Sequence, residues 1–90
     1  MQKNDIVSVM TAYGEYVGKF VEQGNTKVTL KDPRMIVQTE QGMGFAHGIC
    51  ATGKENPLSV DIQMAQVLFI IEVNASIEKE YRKVTSGLIV

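Results

Sequence analysis

The run Val67-Leu68-Phe69-Ile70-Ile71 constrains this chain more than any other feature. Alternation of apolar and polar residues breaks down there, so a strand over these residues seeks burial on both faces. The chain has 90 residues, enough for one domain and one core. A domain of that size buries only a little over ~60% of its unfolded surface, which leaves few places to hide a two-faced strand. Left open at a sheet edge, the run would invite aggregation. A neighbouring copy whose edge strand pairs with it solves the problem, and repeating that contact head to tail gives a closed ring or an open filament. Cover within one chain, by a C-terminal helix and the tail Leu88-Ile89-Val90, is the competing solution.

Most of the remaining sequence reads as strands. Ile6, Val7, Val9, Thr11 and Tyr13 form a β-branched and aromatic run that ends at Gly14. A second run follows over residues 16–22, and Gln23-Gly24-Asn25-Thr26 is a turn cluster whose Gly and Asn suit a tight hairpin. Lys27-Val28-Thr29-Leu30-Lys31 alternates cleanly, with Val28 and Leu30 on the buried side. Pro33 lacks an N–H, so a long strand is expected to kink near Asp32-Pro33 before Met35, Ile36 and Val37 resume it. Residues 41–48 carry three glycines, and a strand is expected to re-form over about 45–51. Leu58, Val60 and Ile62 alternate with Ser59, Asp61 and Gln63 as in a half-exposed strand. The period then changes: Ile77, Tyr81 and Val84 make one helical stripe, Asn74 or Ser76 is placed to cap it, and Gly87 to stop it.

Composition narrows the chemistry. Nine basic and ten acidic residues give a net charge of −1, which excludes a strongly basic nucleic-acid clamp. One Cys and one His exclude a disulfide framework and a Cys-rich zinc module. His47 and Cys50 are a lone pair of such residues; on a strand, i and i+3 point to opposite faces, so neither a metal site nor a thiol–histidine pair is expected. The Gly-rich stretch around Phe45 is neither a dinucleotide fingerprint nor a P-loop. No carboxylate pair suggests acid–base work, and the expectation is a protein that is not an enzyme and takes no cofactor, metal or small-molecule substrate. The longest apolar run falls far short of the ~20 residues of a membrane helix, and no signal segment is evident, so a soluble cytoplasmic setting is expected.

Several segments together resemble the Sm and Sm-like family. Tyr16-Val17-Gly18-Lys19-Phe20 is similar to the second strand of the first Sm motif, and Leu30-Lys31-Asp32 to the Leu-x-Asp that closes it. Residues 62–70 lie without a gap on the second motif, Ile-Arg-Gly-x-Asn-Val-x-Tyr-Ile. The likeness covers about residues 5–73. It departs from the family in lacking the Asp-x-x-aromatic-or-Met-Asn element, in a shorter segment between Gly18 and Leu30, and in Gln63-Met64 standing for Arg-Gly. The pattern looks like a short, virus-encoded member of the kind found in phages of marine cyanobacteria, in which case the setting is the host cytoplasm.

The resemblance implies a mainly β fold: a strongly bent five-stranded antiparallel small barrel, SH3-like, over about 5–73, with a short helix over about 75–86, in a single domain spanning 1–90. It implies a homo-oligomeric ring of roughly five to eight subunits. Val60, Ile62, Val67, Leu68, Phe69, Ile70 and Ile71 are the expected subunit interface. Single-stranded RNA is the implied partner, held at turns lining a central pore, with Asn25, Lys27, Gln63, Met64 and Gln66 as binding residues. Amides would meet a base edge and Lys27 a phosphate, while no aromatic is expected to stack. Lys19, Lys27, Lys31 and Arg34 are expected mainly to solvate the outer face of their strands. The missing motif elements and near-zero net charge support an alternative, a structural or adaptor ring without nucleic acid. A monomeric SH3-like or OB-like binding module is a third reading.

Overall fold

The structure is a computed structural model and describes residues 1–86. Six strands and one helix follow in the order β1 (Ile6–Thr11), β2 (Gly14–Gln23), β3 (Lys27–Thr39), β4 (Gly42–Phe45), β5 (Ser59–Gln63), β6 (Val67–Glu72) and α1 (Ala75–Thr85). A single 3-10 turn, Met64–Gln66, joins β5 to β6. All strand pairings are antiparallel, and the order across the sheet is β4-β3-β2-β1-β6, with β5 also on β3.

β3 organises this sheet. Its first half, Lys27 to Lys31, pairs with β5, and its second half, Ile36 to Thr39, pairs with β4. The change of partner falls at the expected kink: Asp32 sits at φ 49°, a left-handed conformation that Asp tolerates better than most residues, and Pro33 follows it. β2 bends with β3 through register shifts between Val17 and Lys19 and between Phe20 and Glu22. At that bend the two backbones approach closely. A Cβ on the buried Gly18 would stand 3.0 Å from Leu30 Cβ and 3.1 Å from the Lys31 carbonyl oxygen.

Two apolar clusters lie on opposite faces of the sheet. Inside the curl, Val7, Val9, Val28 and Leu30 are fully buried, with Tyr16, Phe20, Val60, Ile62, Met64, Val67 and Ile70 packed around them. On the other face, Ile6, Val17 and Tyr81 are buried against Ile36, Phe45 and Val73. The helix supplies Tyr81 to that second cluster. Its phenol donates to the Asp32 carbonyl at 2.7 Å and to the Lys31 carbonyl at 3.3 Å, and its ring meets Phe45 edge to face at 6.0 Å. Asn74 caps the helix by accepting from the Ile77 N–H at 3.0 Å. The Glu78–Arg82 pair is made at 3.2 Å.

Several expectations need correction. Among the described residues there are six strands rather than five, and the sheet does not close: no pairing joins β5 to β6. The extra strand comes from the Gly-rich stretch, where Gly42 at φ 113° turns the chain back on β3 and makes a strand at Gly42–Phe45 instead of 45–51. Residues 46–58 form no strand, so His47 and Cys50 are not on alternating faces; both line a pocket of about 340 Å³ with Met35 and Glu55. Arg34 does not solvate a strand face. It is buried and donates to the Pro33 carbonyl at 2.9 Å. Val84 is exposed, so the helical stripe narrows to Ile77 and Tyr81. Gly87 and the tail Leu88-Ile89-Val90 lie outside the described residues.

Candidate functional site

The two expected turns meet. Lys27 stands opposite Gln63 in the β3–β5 register, and the Met64 N–H donates to the Thr26 carbonyl at 2.9 Å. The Gly24 N–H closes its own turn on the Lys27 carbonyl at 2.9 Å. Asn25, Lys27, Gln63 and Gln66 are exposed, and Met64 is half-buried because it packs on the inner core. Hydrogen-bonding amides therefore surround one end of the curled sheet, as a polar recognition surface requires.

Lys27 is not a free cation. Its ammonium lies 3.3 Å from Asp61 Oδ2, and the Thr29 hydroxyl donates to Asp61 Oδ1 at 2.7 Å. The Thr29 hydrogen bond, and then that from Lys27, hold the Asp61 carboxyl below the usual carboxylate range. Lys19 is likewise paired, 3.4 Å from Asp32. Of the four cations at residues 19–34, Lys19 thus pairs with an acid of the same stretch and Lys27 with one from β5. Asp61 was missed because it comes from a strand thirty residues away.

Aromatic surface was missed as well. Tyr13 is 81% exposed at the tip of the β1–β2 hairpin. With Tyr16, Gln63 and Gln66 it lines a slot of about 300 Å³ that runs along β5 past Val60 and Ile62. Thr11 fixes this tip. Its hydroxyl oxygen accepts from the Tyr13 and Gly14 N–H groups, each at 3.1 Å, and its hydroxyl donates to the Gly14 carbonyl at 2.9 Å. The signal was present in the Thr11-Ala12-Tyr13-Gly14 spacing, a hairpin pattern that carries an aromatic at its apex.

The expected interface residues divide into two groups. Val60, Ile62, Val67 and Ile70 are half-buried against the inner core. Leu68, Phe69 and Ile71 are 67%, 52% and 57% exposed. The described part of α1 leaves these three open, so within residues 1–86 the two-faced strand is not covered by its own chain. Among the described residues β6 pairs only with β1, and β5 only with β3, which leaves one edge of each unpaired within residues 1–86.

Among the described residues no group of three or more His, Cys, Asp or Glu is placed to hold a metal ion. No described helix is long and apolar enough to cross a membrane. No protein-family model matches the chain, and no curated protein matches it.

Proposed function

We propose that this chain assembles with copies of itself, β5 against a neighbour's β6, into a closed Sm-like ring, and that the ring binds single-stranded RNA at the turns 23–27 and 63–66. The carrying observation is the pair of free edges on the last two strands, one bearing an exposed apolar run. Ile70 stands opposite the buried Val9 and Val67 opposite Thr11, so both face inward, and Leu68 is the extra residue of the bulge between them, left exposed on the strand. Val60 and Ile62 share the inner face of β5, and Leu58, 76% exposed, precedes them on the same parity. An antiparallel contact between these edges would cover the exposed Leu68 and leave the Tyr13 end of the slot open. RNA binding draws support from the exposed amides of Asn25, Gln63 and Gln66, with the Tyr13 ring as a stacking face beside them. The chain acts as a binding protein in the cytoplasm rather than as an enzyme.

One observation favours a second reading, a structural or adaptor ring without RNA. The only lysine at the joined turns is neutralised by Asp61, and the whole chain carries a net charge of −1. Native mass spectrometry of the protein purified from cells tests assembly, and anisotropy with short U-rich and A-rich RNA at moderate salt tests binding. A ring of roughly five to eight copies that loses RNA affinity on Lys27→Ala/Gln63→Ala is the expected result. A monomer would sink both ring readings, and a ring with no affinity for either RNA would leave the adaptor reading.

A further inference from the structure

Backbone hydrogen bonding decides which residues of the two unpaired edges can meet. Opposed residues of an antiparallel ladder alternate between pairs that exchange N–H···O=C bonds and pairs whose groups point away. On β5 the alternation is set by the bonds at its two ends: the Met64 N–H donates to the Thr26 carbonyl at 2.9 Å, and the Asp32 N–H to the Leu58 carbonyl at 2.8 Å. Between them Val60 and Ile62 bond to Leu30 and Val28, so the backbone groups of Ser59, Asp61 and Gln63 point to the open edge. On β6 the Val73 N–H donates to the Ile6 carbonyl at 3.1 Å. Ile71 and Phe69 therefore bond to Ser8 and Met10, and the backbone groups of Ile70 and Glu72 point outward from the sheet's edge. Directly opposed residues also share a face of the sheet. Ile70 is on the inner face with the buried Val9, whereas Asp61 is on the outer face with Thr29, between the buried Val28 and Leu30. An antiparallel junction of these edges must then join the inner face of β6 to the outer face of a neighbour's β5. Phe69 and Ile71, on the outer face of β6, come to lie beside the neighbour's Val60 and Ile62.

We propose that a second copy of this chain docks in one register, with its Ser59 opposite Glu72 and its Asp61 opposite Ile70, so that its Leu58, Val60 and Ile62 face Val73, Ile71 and Phe69. This register overlaps the whole of Ser59–Gln63 with residues 68–72. It covers Leu58, Phe69 and Ile71 together, three large apolar side chains that are each more than half exposed. The neighbour's Leu58 then walls the outer groove of about 450 Å³ at the side lined by Ile71, Val73 and Ile77. The nearest alternatives are worse. Sliding by two residues one way sets Asp61 opposite Glu72, and like charges directly opposed are destabilising. Sliding by two the other way sets Pro57, which has no N–H to give, opposite Glu72, and sets Ile62 against Val67 beyond the bulge. A slip of one residue turns bonding groups against non-bonding ones and breaks the ladder. The register rests on the β5–β6 contact proposed above and is independent of RNA.

The test is disulfide trapping in the full chain carrying Cys50→Ser, since Cys50 is the one cysteine of the sequence and is exposed. Ser59→Cys/Glu72→Cys puts two thiols at exposed, directly opposed positions, with Cα atoms ~5.5 Å apart and within disulfide reach. Asp61→Cys/Glu72→Cys and Asp61→Cys/Leu68→Cys, also at exposed positions, report the two shifted registers. In the proposed register those pairs are diagonal neighbours ~7–8 Å apart, too far to bridge without backbone movement. Mild oxidation is expected to turn Ser59→Cys/Glu72→Cys into a ladder of covalent oligomers on a denaturing gel at least about tenfold faster than either control. Equal rates, faster trapping of a control, or no ladder from Ser59→Cys/Glu72→Cys while native mass spectrometry still shows the ring, each overturn the register and leave the ring standing. A monomer in native mass spectrometry overturns the register and the ring together. A link formed within one chain, seen as a monomer that has lost both thiols, overturns the register too.

Discussion

Replacing Tyr81 by Phe removes one oxygen from the point where helix, bend and sheet meet. Tyr81 is fully buried, and its hydroxyl reaches the carbonyl of Asp32 at 2.7 Å and that of Lys31 at 3.3 Å. These carbonyls flank the left-handed turn of β3, where the strand leaves β5 for β4. A net hydrogen bond is worth ~0.5–1.5 kcal/mol, and a carbonyl left buried without its donor costs ~1–3 kcal/mol. Both carbonyls have a second lone pair and some access to water, so a loss of about 1–2 kcal/mol is expected. With an m-value near ~1 kcal/mol/M in urea, the midpoint falls by about 1–2 M. The assay is urea unfolding followed by circular dichroism, at one fixed protomer concentration because assembly would add to stability. Tyr81→Ala, which also empties the space beside Phe45, is expected to cost about 3–5 kcal/mol. A Tyr81→Phe midpoint within about 0.2 M of the parent would refute the idea that this hydroxyl secures the bend. Burial also pushes the phenol well above its ordinary value. A raised folded pKa stabilises below the unfolded value of ~10, and that contribution is lost as the pH rises from there towards the folded pKa. Stability should therefore decline above about pH 10, and Tyr81→Phe should remove that part of the decline.

Three further outcomes follow from the geometry. Gly18→Ala puts a methyl against Leu30 Cβ and the Lys31 carbonyl, so a loss of about 1–3 kcal/mol in urea unfolding is expected; an unchanged midpoint would mean that β2 and β3 part without cost. Thr29→Val should raise the Asp61 pKa towards the ordinary carboxylate range, read by carboxyl NMR, and no movement would deny Thr29 its leading part. The sign for stability is that of any lowered carboxyl: the contribution is present above the unfolded pKa and lost as the pH falls through the folded one. Leu68→Asp places a charge at the exposed bulge of the edge strand β6 and should give a monomer in sedimentation velocity; a ring of unchanged size would refute the proposed β5–β6 contact.

The local grammar of this chain was readable where short-range chemistry decides structure. A helix cap at Asn74 or Ser76, made by Asn74, the hairpin at Gly24-Asn25 and the bend at Asp32-Pro33 each depend on residues within a turn of one another. The meeting of the turns at residues 23–27 and 63–66 was also foreseen, through the family resemblance rather than through spacing. What escaped was set by distant partners. Gly42–Phe45 has little strand propensity of its own and becomes a strand because the second half of β3 offers it an edge. Arg34 reads as a surface cation, yet it is buried at the bend and donates to the Pro33 carbonyl. Lys27 reads as a free phosphate contact until Asp61 arrives on β5. The six-stranded open sheet shows a small β-rich fold.

The pairing of β1 with β6 has a consequence for how the chain comes off the ribosome. Val7 meets Glu72 and Thr11 meets Val67, so the first strand waits for the last of the described strands. The meander of β1, β2 and β3 needs only neighbouring hairpins and is free to form during synthesis, but the outer edge of β1 stays bare until residue 72 has emerged. During that interval the unpaired backbone edge of β1 is open to pairing with another chain. Substitutions in β6 should accordingly be felt first as lost yield and inclusion bodies during expression, before any change in what the finished protein binds.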